Sequence, residues 1–334
     1  MRVEIIEKAY QWMLEGSRLL QQVHKESFFD GYIKNIENII QDHWLPLDNE
    51  SLDEETKERL KTLYHNLKNL SLSAEEWRKV SQLVLLKGTL DEPIQANHQL
   101  TPDSIGFLLA YFIEQLTKDK SKLVLLDETV GTGNLLLTLL TNLSLAKKKV
   151  EGCGIDIDDT LLRIADVNSQ LVKVDLQLFH QDALRGIPIV DLDIVVSDLP
   201  VGYYPNDAWA KNFEVATDND EHTYAHHLLI EQGISVLREG GFALFLLPTN
   251  LLETEQVSLL KKWLQNQAYL QGVIQLPENL FQKKQVCKSI YIFQKSGENV
   301  RQKELLVTSL NSLSDAEEMK QFFSQFQKWS AEYS

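Results

Sequence analysis

Three features of this sequence predict an α/β protein, a sheet covered by helices on both faces and preceded by an all-helical segment. Residues 1–95 carry apolar side chains at helical spacing and few strand signals. From Leu100 the texture changes to short apolar runs alternating with amphipathic stretches, the pattern of a parallel sheet covered on both faces. One of those runs ends in an acid followed by a Gly-x-Gly turn, which in α/β folds opens a helix beside a ligand. At 334 residues and 43% apolar content the chain has room for one large or two ordinary domains and enough apolar surface for a packed core.

Taken in order, Ile5, Ile6, Ala9, Tyr10, Met13 and Leu14 share one helical face, and Phe28, Phe29, Tyr32, Ile33, Ile36, Ile39 and Ile40 repeat the pattern. Trp44 to Glu50, with a central proline, breaks it, and Asp53 to Leu70 resumes as a charged amphipathic helix. Ser73-Ala74-Glu75-Glu76 has the Ser-x-x-Glu form of a capping box and predicts the start of a further helix. The polar stretch from Asp91 to Gln99 is a linker, which divides the chain into a helical N-terminal domain, 1–95, and a second domain, 96–334. In the second domain the strands are Lys122–Leu126, Val150–Ile155, Leu176–His180, Asp193–Val196, Gly241–Leu247, Leu270–Leu276 and Ser289–Gln294. Helices are expected near Asn134–Leu143, Asp159–Leu171, Tyr224–Leu237 and Glu255–Gln267.

Composition removes several classes of function. No run approaches the roughly 20 apolar residues of a membrane span, and the start lacks the basic-then-apolar layout of a secretory signal, so a cytoplasmic protein is expected. Cys153 and Cys287 are isolated, which predicts buried, reduced thiols rather than a disulfide framework or a zinc site. A net charge of −15 argues against wrapping a phosphate backbone with the whole surface, so any nucleic-acid contact has to come from a local basic patch.

The chemistry concentrates at the ends of four successive strands. Leu123 to Leu126 leads into Asp127-Glu128-Thr129-Val130-Gly131-Thr132-Gly133-Asn134, where glycine permits a tight turn and close approach of backbone to ligand. Alone, such a turn fits any strand-to-helix junction. The next strand, however, ends in Asp156-Ile157-Asp158, roughly 20–25 residues beyond the glycines, where an acid takes ribose hydroxyls in α/β nucleotide sites. The pairing points to an adenosine-type cofactor. The third strand ends in Asp182-Ala183 and the fourth in Asp198-Leu199-Pro200-Val201-Gly202-Tyr203-Tyr204, which completes one crevice along a single sheet edge.

These motifs resemble those of the class I S-adenosylmethionine-dependent methyltransferases, a Rossmann-like group, and within it the N6-adenine-specific DNA methyltransferases. The likeness is strongest to the modification subunits of type I restriction systems and their stand-alone bacterial relatives of the YtxK type. It runs from about residue 97 to the C-terminal helix, and includes Gly240 to Pro248 and Gly272 to Phe281 as later core strands. It implies S-adenosylmethionine as cofactor, with Thr101 and Pro102 at its methionine end. Asp127, Thr129, Gly131, Gly133 and Asn134 would form the glycine loop, Asp156 and Ile157 the ribose edge, and Asp182 and Ala183 the adenine edge. Glu128 stands where the family usually has proline.

The family's catalytic signature is Asn-Pro-Pro followed by an aromatic, and its chemistry explains the pattern. The lone pair of an exocyclic adenine amine is delocalised into the ring. A side-chain oxygen and a backbone carbonyl accept its two hydrogens while an aromatic ring stacks on the flipped base. Asp198-Leu199-Pro200-Val201 corresponds, with Asp198, Pro200 and Tyr203 as catalytic candidates and Asp198 also at the cofactor edge. Val201 cannot stack, and Tyr203 or Tyr204 is the available substitute unless both pack against the helical domain.

His222, His226 and His227 contain an i, i+4 pair, but no second ligand cluster accompanies it. A helix packed on the sheet is expected there, and no metal. Lys147-Lys148-Lys149 and Lys283-Lys284 read as solvated loops, and Trp12, Trp44, Trp77 and Trp209 as core or interface residues. The leading reading is methyl transfer to an exocyclic amine such as adenine N6, with DNA as the macromolecular partner and a possible partner subunit for target recognition. The alternative is a cofactor-binding regulatory or assembly protein that has lost DNA methylation, favoured by Val201 and the acidic surface. A nicotinamide-dependent dehydrogenase is disfavoured because Gly-x-Gly-Asn lacks the third glycine. The sequence leaves the oligomeric state open and makes the helical domain a candidate lid or docking element.

Overall fold

The computed structural model describes residues 2–41, 52–92, 99–217, 222–281 and 287–333. The expected break at Trp44 to Glu50, the linker residues 93–98 and the Lys283-Lys284 run lie outside them. Helices α1 (Val3–His24) and α2 (Phe28–Ile40) form a hairpin. The turn is fixed by Ser27, whose hydroxyl accepts the Asp30 amide at 3.1 Å. The helices cross closely because position 31 is glycine: a Cβ there would stand 2.5 Å from the Ser17 carbonyl oxygen. Helix α3 (Glu54–Asn69) follows, and α4 (Ala74–Asp91) starts at the expected capping box of Ser73 and Glu76. The Glu76 carboxylate also receives the Arg2 guanidinium, which holds it well below the usual carboxylate range.

Helix α5 (Asp103–Leu116) was not among the expected elements. Buried residues line it on nearly every side, so it lacks the polar stripe by which an amphipathic helix is read. The alternating unit is β1 (Lys122–Asp127), α6 (Asn134–Leu145), β2 (Lys149–Asp156), α7 (Asp159–Val172), β3 (Leu176–His180) and β4 (Leu192–Asp198). Short α8 (Asp207–Ala210), α9 (Ala225–Ser235), β5 (Leu237–Pro248), α10 (Val257–Gln267), β6 (Ala268–Gln275), β7 (Lys288–Lys295), β8 (Leu306–Ser309) and α11 (Ala316–Ser330) complete it. Strand β8 escaped the sequence reading because four residues with one buried side chain carry no periodic signal.

The strands form one sheet in the order β3-β2-β1-β4-β5-β7-β6-β8. The expectation of a parallel sheet needs correction at β7, which runs antiparallel to both β5 and β6. Periodicity reports which face a residue occupies and nothing about strand direction. Successive residues do alternate between faces. Leu125, Ile194, Val196, Leu244 and Leu246 pack under α5, α6 and α11, whereas Leu126, Val195, Ala243, Phe245 and Leu247 pack under α9 and α10. Phe326 of α11 stacks on Phe112 of α5 with centroids 4.2 Å apart and so closes the first face.

The N-terminal helices bury a core that α7 completes. Tyr32, Ile33, Ile36, Val80 and Val84 pack around Ile164, Val167 and Leu171 of α7, and the Tyr32 hydroxyl donates to Asn168 at 2.5 Å. On the adjoining side Arg78 is buried and donates to Glu75 at 2.8 and 2.6 Å and to Asp103, in the first turn of α5, at 2.9 and 3.1 Å. Lys79 and Gln82 reach the same Asp103 carboxylate. This packing makes the helical segment a buttress against α5 and α7, beside the helix that the glycine loop opens.

Removing one partner of a buried ion pair leaves the other desolvated and alone, at a cost of about 3–5 kcal/mol. Arg78→Met should therefore lower the unfolding free energy by about that amount in urea titration. A loss as small as that of the surface variant Arg59→Met would show that the Glu75–Arg78–Asp103 cluster does not brace α4 against α5.

Candidate active site

Reversal of strand order places β1 and β4 side by side at the centre of the sheet, the position where α/β folds open a crevice at the carboxyl ends of their strands. Asp127 ends β1, Asp156 ends β2 and Asp198 ends β4. Between them the chain turns through Gly131 (φ 52°) and Gly133 (φ 77°) into α6. A Cβ at Gly131 would meet nothing within 4 Å, so the space above that peptide is open. At Gly133 it would lie 3.0 Å from the Ala165 Cβ, so this glycine also lets α6 approach α7.

Short hydrogen bonds tie the crevice together. The Asp156 carboxylate accepts the Gly131 amide at 2.7 Å and the Asp158 amide at 2.9 Å, while Asp127 accepts the Thr129 amide at 3.1 Å. The Asn134 side chain donates to the Thr101 carbonyl at 2.8 Å, and the Thr101 hydroxyl donates to Asp198 Oδ2 at 2.8 Å. Thr129 Oγ1 lies 3.5 Å from the Asp198 carbonyl. Pro102 caps α5 directly after Thr101. Thus Thr101, Pro102, Thr129, Asn134 and Asp198 form one connected wall.

Glu128 has a local explanation. Its amide donates to Ser197 Oγ at 3.0 Å, a bond that proline could not make. Its side chain is buried, with neither carboxylate oxygen partnered among the described residues, and burial beside Asp127 pushes its pKa well above the usual range. Asp127 is pushed up to about 7, chiefly by burial, with the charges of Asp156 and Asp198 adding.

Farther along the edge, Asp182 accepts the Leu184 amide at 3.0 Å and the Tyr204 hydroxyl at 2.7 Å. Ala183 is buried beside it, and Ile157 is 67% exposed, an apolar surface at the rim. Neither tyrosine packs on the helical segment. Tyr204 is buried, and burial followed by the Asp182 bond raises its pKa to about 12. Tyr203, half exposed, stacks on Tyr224 at 4.7 Å and 11°, and Tyr224 stacks on His226 at 5.2 Å. Pro200 is half-buried and Val201 is exposed.

The sequence reading missed Lys288. Its ammonium donates to Asp198 Oδ1 and, at 2.9 Å, to the Leu199 carbonyl. The available signal was a charged residue opening an otherwise apolar strand. His226 and His227 are both buried in α9, on the helix expected to pack against the sheet. Burial, with His227 and Lys288 adding, pushes His226 down to about 3, and burial pushes His227 to about 4. His222 lies before that helix and pairs with Asp207 at 2.8 Å. Lys147–Lys149 sits at the amino end of β2, across the sheet from the crevice. Trp209 donates to the Leu184 carbonyl, with the Arg185 guanidinium 4.1 Å from its ring centre. Of the thiols, Cys153 is buried and Cys287 half-buried.

The family model described as N-6 DNA Methylase matches residues 95–330. The chain belongs to the N-6 DNA methylase family. A second family model, the YtxK N-terminal helical domain, matches residues 7–89. YtxK of Bacillus subtilis (strain 168) is 40% identical over 256 residues, 76% of this chain and 77% of that protein. A Listeria monocytogenes protein provisionally described as a class I S-adenosylmethionine-dependent methyltransferase is 36% identical, with a TM-score of 0.89 over 98% of this chain and 99% of its own. The type I restriction-modification methyltransferase subunit of Streptococcus thermophilus shares the fold, with a TM-score of 0.66, 16% identity, and 95% and 74% coverage.

The protein is a class I methyltransferase by family and fold, and its cofactor is S-adenosylmethionine. Its residues suit that cation, since the partly exposed carboxylates of Asp156 and Asp198 lie at the crevice with Asp127 buried between them, the space over Gly131 is open and Ile157 offers an apolar rim.

The Asp127 shift has a consequence for stability. The folded protein retains a proton up to about pH 7 that the unfolded chain releases near pH 4, so the contribution of Asp127 falls across that window and is level above it. Asp127→Asn does not titrate. Its melting temperature relative to the parent should rise from pH 4.5 to pH 7.5 in ligand-free scanning fluorimetry. Buried, neutral His226 and His227 give the opposite slope below about pH 6.5 in both proteins and cancel in the difference. A pH-independent difference would mean that Asp127 ionises normally.

Proposed function

We propose that this protein transfers a methyl group from S-adenosylmethionine to an exocyclic amine, adenine N6 in DNA. One observation carries the reading. A side-chain oxygen of Asp198 and the backbone carbonyl of Leu199 converge on a single point, and a nitrogen, Lys288 Nζ, already satisfies both. An exocyclic amine presented there would give its two hydrogens to the same pair, drawing its lone pair out of the ring and toward the crevice. When bound, the cofactor supplies an electrophilic methyl group on a sulfonium centre. Asp198 then needs only to orient the amine, which sheds its proton after becoming cationic. Thr101 holds the second Asp198 oxygen and so fixes the plane of the carboxylate. Pro200 rigidifies the loop that follows.

Tyr203, backed by Tyr224, is the proposed stacking platform in place of the aromatic that Val201 lacks. The catalytic unit is assigned to 96–334 and the buttress to 1–95, in keeping with the two family matches. The acidic surface, and a basic run on the wrong sheet edge, favour a partner subunit that carries much of the DNA contact, in the cytoplasm.

Incubation with methyl-labelled cofactor and bacterial DNA, followed by digestion to nucleosides, should yield labelled N6-methyladenine. Asp198→Ala should abolish the product. Tyr203→Ala should reduce kcat/KM by about 5- to 150-fold, the equivalent of 1–3 kcal/mol of stacking. Label absent from adenine in a protein that binds the cofactor would overturn the choice of base.

A further inference from the structure

The pair of acceptors at the proposed catalytic point is occupied by the chain itself. Lys288 is the first residue of β7, and because that strand is antiparallel its beginning lies at the carboxyl edge, opposite Pro248 of β5. From there the side chain, 18% exposed, reaches Asp198 and the Leu199 carbonyl. Thr101 fills the other Asp198 oxygen, so neither carboxylate oxygen is without a donor. A substrate amine and the Lys288 amine would thus use the same two hydrogen bonds and exclude each other. A site that presents an amine to a methyl donor will present this one.

We propose that Lys288 is a methyl acceptor within its own chain, a modification site built into the active centre. The inference rests on the assignment of Asp198 and Leu199 as the amine-orienting pair. The ammonium of Lys288 passes a proton to the Asp198 carboxylate, to which it is already hydrogen-bonded. The freed lone pair forms the N–C bond to the methyl carbon as the C–S bond breaks. The electron pair of that bond stays on sulfur, which leaves as the neutral thioether of S-adenosylhomocysteine. Asp198 returns its proton to water, and the methylated nitrogen, formed directly as a secondary ammonium, keeps its two remaining protons, so the net release is one proton per methyl group. Methylation keeps the positive charge but removes an N–H each time. One methyl group leaves two donors for the two acceptors, two leave one, and three leave none. Progressive methylation therefore releases Asp198 and Leu199 to an incoming amine.

The test uses the full chain in two measurements. In the ligand-free protein, labelling with acetic anhydride followed by peptide mass mapping should find Lys288 at least tenfold slower than exposed lysines such as Lys8 or Lys118, with the protection lost in Asp198→Ala. Labelling of Lys288 at the rate of the surface lysines would show that its amine is not held at the acceptor pair and would overturn the proposal. With S-adenosylmethionine added and its binding followed by calorimetry, the intact mass should rise in steps of one methyl group. The gain should map to Lys288, be absent from Lys288→Arg, and proceed at a rate per molecule independent of protein concentration. An unchanged mass in a protein that binds the cofactor overturns self-methylation. If that same protein methylates DNA, the proposed function stands without it. Methylation of Lys288→Arg at other lysines would also overturn the assignment.

Discussion

Three carboxylates crowd the carboxyl ends of neighbouring strands, and the organisation of this site follows from having to hold them there with a single counter-ion, Lys288, among them. Each is managed differently. Asp156 is absorbed by two backbone amides, one from the glycine loop and one from its own turn. Asp127, buried, keeps a proton into the neutral range. Asp198 is held by Thr101 and by Lys288. The glycine conformations, the placing of Thr101 before α5 and the arrival of β7 from the opposite direction all serve that arrangement. A cluster managed chiefly by hydrogen bonds and a retained proton still leaves this crevice a favourable field for a cationic cofactor, because a positive charge placed there favours the ionised carboxylates.

The sheet edge was legible because its signals are local. A strand ending in Asp127, the glycines at 131 and 133, Asp156 and Asp198 each stand at the end of an apolar run, and a parallel βαβ chain returns every such end to the same side. The structure puts those residues, together with Thr101 and Asn134, in one hydrogen-bonded wall. What was not legible depends on direction and distance. Lys288 looks like a lysine at the start of a strand, and in a parallel strand it would lie at the far edge, remote from Asp198. Only the antiparallel insertion of β7 between β5 and β6 brings it to the crevice. Likewise the Tyr203–Tyr224–His226 stack joins segments about 20 residues apart across an isolated bridge. No period in either segment announces that. Helix α5 was lost for the opposite reason, since a helix buried on nearly all sides has no contrast between its faces.

Val201 illustrates how a departure from a family pattern is to be read. Taken alone it removes an aromatic from the proposed catalytic loop. In the fold, the loop continues to Tyr203, whose ring is already ordered against Tyr224 and half exposed. Glu128 is a departure of another sort. It exchanges the ring of a proline for an amide that bonds Ser197, and leaves a buried carboxyl whose pKa is raised to match its surroundings.

The core shared by the N-terminal helices and α7 has a consequence for how the protein is made. Tyr32, Ile36 and Val84 are synthesised well before Ile164, Val167 and Leu171, the residues that cover them. At ordinary rates of about 5–20 residues per second, the gap between the end of α4 and the end of α7 keeps an apolar helical face open for several seconds on the ribosome. Those helices leave the exit tunnel before α7 does. That face is closed only when α7 arrives with Ile164, Val167 and Leu171, so a nascent chain that stops short of it leaves the apolar patch in water.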